Sequence, residues 1–87
     1  MSKEEFKKWF EDYKDGLTTW KVDIDNENMT DYVVGCFHDN KSETWKVYIN
    51  MERGRHRIRL ETKDENQAFD KLKSLVTYVL ENGRGYY

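Results

Sequence analysis

Apolar residues recur along this chain with two different periods, and the switch between them marks out its elements. Near the start, Phe6, Trp9, Phe10 and Tyr13 stand at i, i+3, i+4 and i+7, one face of an amphipathic helix. Ser2-Lys3-Glu4-Glu5 has the form of a capping box, with Ser2 able to cap the first turn and Glu5 to reach back. Gly16 is placed to end the helix. From Trp20 the period drops to two. Trp20, Val22 and Ile24 alternate with Lys21 and Asp23, and Trp45, Val47 and Ile49 alternate with Lys46 and Tyr48. His56, Ile58 and Leu60 alternate with Arg55, Arg57 and Arg59, again as half-buried strands do. Tyr32 to Phe37 is more continuously apolar, the pattern of a central strand covered on both sides.

Turn chemistry joins these strands. Asp39-Asn40-Lys41 and Asn50 to Gly54 read as hairpin connections, with Gly54 in the left-handed position. Asn26 to Thr30 links the first two strands. Short links between successive strands predict an antiparallel meander. Beyond it, Thr62-Lys63-Asp64-Glu65 offers a second capping box, with Asp64 and Gln67 as a shifted alternative. Ala68, Phe69, Leu72, Leu75, Val76, Val79 and Leu80 then keep helical spacing as far as Gly83. The expected fold is α+β: a four-stranded antiparallel meander with an N-terminal and a C-terminal helix packed on one face, the other face open to solvent. Eighty-seven residues close one core, so 1–87 is expected to be a single domain, with 83–87 as a tail ending in Tyr86-Tyr87.

Composition adds three points. Aromatics are 15% of the chain; they concentrate a modest apolar share into large side chains, which so short a chain needs for its core. Cys36, the one cysteine, rules out an internal disulfide and fits a reducing compartment. With no secretory signal and no apolar run near the roughly 18 residues of a membrane span, the expected location is the cytoplasm, away from any membrane. The formal net charge of −2 conceals a segregation. Asp23, Asp25, Glu27 and Asp31 share one stretch without a base, and Arg53, Arg55, Arg57 and Arg59 share another without an acid. Two opposite patches on a near-neutral chain point to directed contact with a charged partner rather than general affinity for polyanions.

Groups for catalysis are in short supply, so the chain is not expected to be an enzyme. Cys36 and His38 would share one face of a strand, but no third group accompanies them, and Cys36 reads more simply as a small buried hydrophobe. Cys36, His38 and His56 are too few for a closed zinc site. Asp23 to Asn28 begins like a calcium loop, yet Asn28 stands where the turn glycine belongs and Val34 where the bidentate glutamate belongs. No metal or cofactor is expected. Alternation would set Arg55, Arg57 and Arg59 on the open sheet face near Tyr48, able to hold phosphate and stack bases. Cross-strand pairing with Glu43 and Glu61, or protection of an edge strand, explains the same row. The negative charge, and the lack of a ribonucleoprotein signature or phosphate loop, weigh against nucleic acid.

Trp45-Lys46-Val47-Tyr48-Ile49, the turn Glu52-Arg53-Gly54, the strand to Leu60 and then Asp64-Glu65-Asn66-Gln67-Ala68-Phe69-Asp70-Lys71-Leu72 form a distinctive run. Strand, arginine-glycine turn, strand, acidic cap and alanine-aromatic helix start together resemble small immunity proteins of bacterial polymorphic toxin systems, contact-dependent growth inhibition among them. The resemblance spans roughly Trp45 to Leu80. It implies a cytoplasmic protein that binds and blocks a cognate toxin domain. Such toxins are often nucleases with basic active surfaces, which would suit the acidic Asp23–Asp31 segment. The modest charge departs from strongly acidic members and, with the arginine row, allows a toxin surface that is partly acidic. The candidate partner contacts are Asp23, Asp25, Glu27, Asp31, Tyr48, Arg55, Arg57 and Arg59. A nucleic-acid-binding regulator using the Arg53–Arg59 strand is the alternative.

Overall fold

The computed structural model describes residues 1–17, 19–52 and 55–82; the expectations for Arg53, Gly54, Gly83 and the 84–87 tail lie outside the described residues. Chain order is α1 (Lys3–Glu11), β1 (Lys21–Ile24), β2 (Val33–Asp39), β3 (Thr44–Asn50), β4 (His56–Thr62) and α2 (Glu65–Asn82), with a short 3-10 turn at Lys14–Gly16. The protein is α+β, and its strands form one sheet in the order β1-β2-β3-β4.

Local chemistry sets the helix ends. The α1 capping box forms as written: Ser2 Oγ accepts from the Glu5 N–H at 3.2 Å, and Glu5 Oε1 accepts from the Ser2 N–H at 2.8 Å. The helix stops at Glu11, before Gly16, which instead closes the 3-10 turn. Tyr13 therefore lies beyond the helix, half-exposed, with its ring 4.9 Å from that of Trp9. At α2 neither capping box closes, but Asp64 of the shifted alternative is the cap, its own N–H donating to the Thr62 hydroxyl oxygen at 3.1 Å. Asp64 Oδ1 accepts from the Asn66 N–H at 2.8 Å, while the Thr62 hydroxyl donates to Gln67 Oε1 at 2.7 Å.

The meander is corrected at its first connection. β2 with β3, and β3 with β4, are antiparallel, but β1 runs parallel to β2, Lys21 lying opposite Val33 and Ile24 opposite Cys36. Residues 25–32 do not reverse direction beside β1; they cross the sheet, so that β2 starts from the same end as β1. Parallel neighbours usually need about a dozen connecting residues or more. The eight here suffice because both ends bend sharply, with φ of 73° at Asp25 and 58° at Tyr32.

The core lies on one face. Val34, Cys36, Val47 and Ile49 are buried against Phe69, Leu72 and Val76 of α2 and Phe6 of α1. Each large apolar side chain buried there contributes about 1.5–3 kcal/mol. α2 lies across β2, β3 and β4, whereas α1 packs chiefly beside α2, Phe6 meeting Phe69 at 5.8 Å. The second face is covered too. Segment 25–32 runs over it, so that Val33, Tyr48 and Asn50 are buried. Val33 to Cys36 of β2 are enclosed on both sides, as the continuous apolar run implies, while His38 nearer its end is exposed.

Candidate functional site

Side chains on the second face hold the crossover by its main chain. Gly35 lies opposite Tyr48, and a Cβ there would overlap the Tyr48 ring and crowd the Asp23 carbonyl; glycine is what lets the ring lie across β2. The Tyr48 hydroxyl donates to the Asn26 carbonyl at 2.7 Å and accepts from the Asn28 N–H at 3.0 Å. Beside it, Asn50 Nδ2 donates to the carbonyls of Asn28 at 2.6 Å and Thr30 at 2.8 Å. That leaves Asn50 Oδ1 to accept from His56 Nδ1, while His56 Nε2 faces the Glu27 carboxylate at 3.2 Å. Both ring nitrogens thus meet acceptor oxygens. Burial pushes the Tyr48 phenol above its ordinary value.

The acidic segment is therefore largely committed within the chain. Asp23 accepts from Asn26 Nδ2 at 3.1 Å and from Asn28 Nδ2 at 3.0 Å. Asp25 pairs with Lys3, a hydrogen bond that raises the lysine's pKa. Glu27 meets His56, and Asp31 lies exposed at the entrance to β2. Tyr48, expected on an open face beside the arginines, is fully buried and presents no surface to a partner in this conformation.

The arginines stand elsewhere, and the cause is one extra residue. Val47 lies opposite Leu60 but Tyr48 opposite Ile58, so Arg59 is a bulge with no opposite number. Below it the alternation changes phase. Leu60 faces the helices, Ile58 turns to the second face and is 43% exposed, and Arg57 falls opposite Ile49 on the helix side. The Met51 N–H donates to the Arg55 carbonyl at 2.8 Å just before β4. The open-face arginine row is thus corrected to a groove between β4 and α2.

That groove has a volume of about 610 Å³. Ile49, Met51 and Leu75 give it an apolar floor, and Arg55, Arg57, Arg59 and Lys71 surround it with positive charge. Ser74 and the half-exposed Tyr78 complete its α2 wall. Among the described residues no acid lines it and none of the four cations forms an ion pair. The expected cross-strand partner Glu61 is used by Thr44, whose hydroxyl donates to it at 2.8 Å. Sequence reading brought together Arg55, Arg57 and Arg59 but missed Lys71 and Tyr78. Their signal was present: Lys71, Ser74 and Tyr78 occupy i, i+3 and i+7 of α2, a stripe flanking the apolar one.

The groups weighed for catalysis are apart from this groove. Cys36 is buried in the core, and burial pushes its thiol up to about 12. His38 Nδ1 lies 3.0 Å from Asn40 Oδ1, and its ring meets Trp45 edge-on at 5.2 Å. Among the described residues no cluster of three or more histidine, cysteine, aspartate or glutamate side chains is arranged to hold a metal ion, and no helix is long and apolar enough to cross a membrane. No family model, curated protein or solved structure matches the chain.

Proposed function

We propose that this is a binding protein of the immunity type, which holds a cognate toxin domain and covers part of its working surface. One observation carries the reading: four cations surround an apolar floor in the β4–α2 groove without an acid among its lining residues. Asp23, Asp25 and Glu27 already have partners within the chain. Uncompensated charge beside buried apolar surface sets orientation and on-rate, while the apolar floor supplies affinity. The partner surface complementary to this groove is acidic. The resemblance between Trp45 and Leu80 supplies the partner class, a toxin domain encoded beside this protein. The deciding experiment co-expresses the chain with the product of the adjacent upstream reading frame. The expected result is relief of that product's toxicity and co-purification with it, both lost in an Arg55→Glu/Arg57→Glu/Arg59→Glu variant. A neighbour that is neither toxic nor bound would end the proposal.

Convergence of the same four cations favours one second reading, a nucleic-acid-binding regulator. It requires binding to single-stranded RNA or DNA that weakens steeply with salt. The formal net charge of −2 works against it, because a long polyanion reaches past the groove to the acidic remainder of the surface.

A further inference from the structure

We infer that the groove receives an extended partner segment that adds to the sheet along β4, with acidic residues on its helix side alternating with apolar residues on the other. The inference rests on the protein-binding reading above and specifies the form of the partner. Two features of β4 carry it independently. Among the described residues β4 is a seven-residue edge strand paired only with β3, so its outer edge offers main-chain donors and acceptors to an incoming strand. Its two faces also differ in chemistry. The helix side carries Arg55, Arg57 and Arg59, with Lys71 across the groove, while the opposite side carries the exposed Ile58.

Alternate residues of a strand stand roughly 6.6 Å apart on one face. Before the bulge an added strand has the same repeat, so its helix-side residues lie beside Arg55 and Arg57 and their neighbours fall on the Ile58 side, while Arg59, in the bulge, reaches the groove outside that repeat. Directly opposed side chains come within about 5.5 Å, close enough for a carboxylate to meet a guanidinium. Acid, apolar, acid is therefore the pattern complementary to this edge. The arginines also repel a second copy approaching edge to edge, since each would face its own kind. They discourage self-pairing while leaving the edge open to a strand of opposite charge. A nucleic acid could use the cations but not the main-chain edge or Ile58.

The test uses the full chain and a labelled peptide as long as β4 that alternates glutamate and valine. An otherwise identical lysine–valine peptide and oligothymidylate serve as comparison probes. The expected result is binding of the glutamate peptide alone, weakening with salt, with slowed amide exchange along β4. An Arg57→Glu/Arg59→Glu variant loses roughly tenfold or more in affinity, as charge reversal at a complementary contact demands. The Arg57→Lys/Arg59→Lys variant retains most of it. Both variants keep the wild-type circular dichroism and denaturation midpoint, which separates lost binding from lost fold. No binding of the glutamate peptide at low salt overturns the inference, as does binding without protection of β4. Preferential binding of oligothymidylate, lost in the Arg→Glu variant, overturns it in favour of a phosphate groove. If the neighbouring toxin binds wild type and Arg→Glu variant equally, the groove assignment falls and the immunity reading stands. If the peptide binds as described and the toxin does not, the reverse holds.

Discussion

Replacing Tyr48 by phenylalanine removes one oxygen and tests how the crossover is held. The ring stays, so its packing across Gly35 and under the loop is preserved. What goes is the donor to the Asn26 carbonyl at 2.7 Å and the acceptor of the Asn28 N–H at 3.0 Å. A typical internal hydrogen bond contributes about 1 kcal/mol net, and a polar group left buried without a partner costs about 1–3 kcal/mol. Asn26 is exposed and its carbonyl can find water, whereas Asn28 is half-buried. The loss should therefore be about 1.5–3 kcal/mol, read as a lower denaturant midpoint at unchanged slope. In a chain this short each kcal/mol is roughly 4–8 °C of Tm. The Asn28 amide should exchange faster than in wild type. A pH signature accompanies this. Burial raises the folded-state pKa of Tyr48, so its contribution is complete below the phenol's ordinary value of 10.0 and is lost as pH rises through the folded value. The gap between wild type and Tyr48→Phe should accordingly narrow in strong alkali, Cys36 being common to both. A change below about 0.5 kcal/mol, with Asn28 protection intact, would show that the hydroxyl does not hold the loop.

Two further outcomes follow from the same packing. Gly35→Ala places a methyl against the Tyr48 ring and the Asp23 carbonyl; overpacking of this kind costs about 1–3 kcal/mol, and wild-type stability in denaturant would refute the close approach. Cys36 is fully buried and its thiol pushed up to about 12, so an aromatic disulfide reagent should label it only at the rate of global opening. Prompt stoichiometric labelling under native conditions would contradict its place in the core.

The elements were legible because each was written in its own periodicity. The α1 capping box, the Phe69–Leu80 stripe and the apolar run of β2 predicted what they form, whereas at α2 only Asp64 caps and neither reciprocal box closes. The parallel pairing of β1 was not legible, because length alone made residues 25–32 look like a hairpin link. What diverts them across the sheet is a set of long-range bonds from Tyr48, Asn50 and His56, more than twenty positions away for the contacts at Asn26, Asn28 and Glu27. The left-handed turn at Tyr32 is equally hidden, since an aromatic residue rarely signals positive φ. The groove was half legible. Arginine spacing announced a one-sided row, but the bulge at Arg59 chose the side, and alternating sequence carries no mark of a single inserted residue. Tyr48 was misplaced in its surroundings for the related reason that the face it occupies is closed by chain from another part of the sequence.

That closure has a consequence for how the surface can change over time. Tyr48 and Asn50 grip the crossover through the Asn26 carbonyl, the Asn28 N–H and carbonyl and the Thr30 carbonyl, all main-chain atoms. Apart from the N–H that proline lacks, any residue supplies those groups. Side chains such as the exposed Met29 therefore stand outside the bonds that keep the loop in place. Substitutions at Met29 can accumulate without disturbing the sheet beneath, whereas Asp25, Glu27 and Asn28 also bond through their side chains and are tied to the framework that presents the groove.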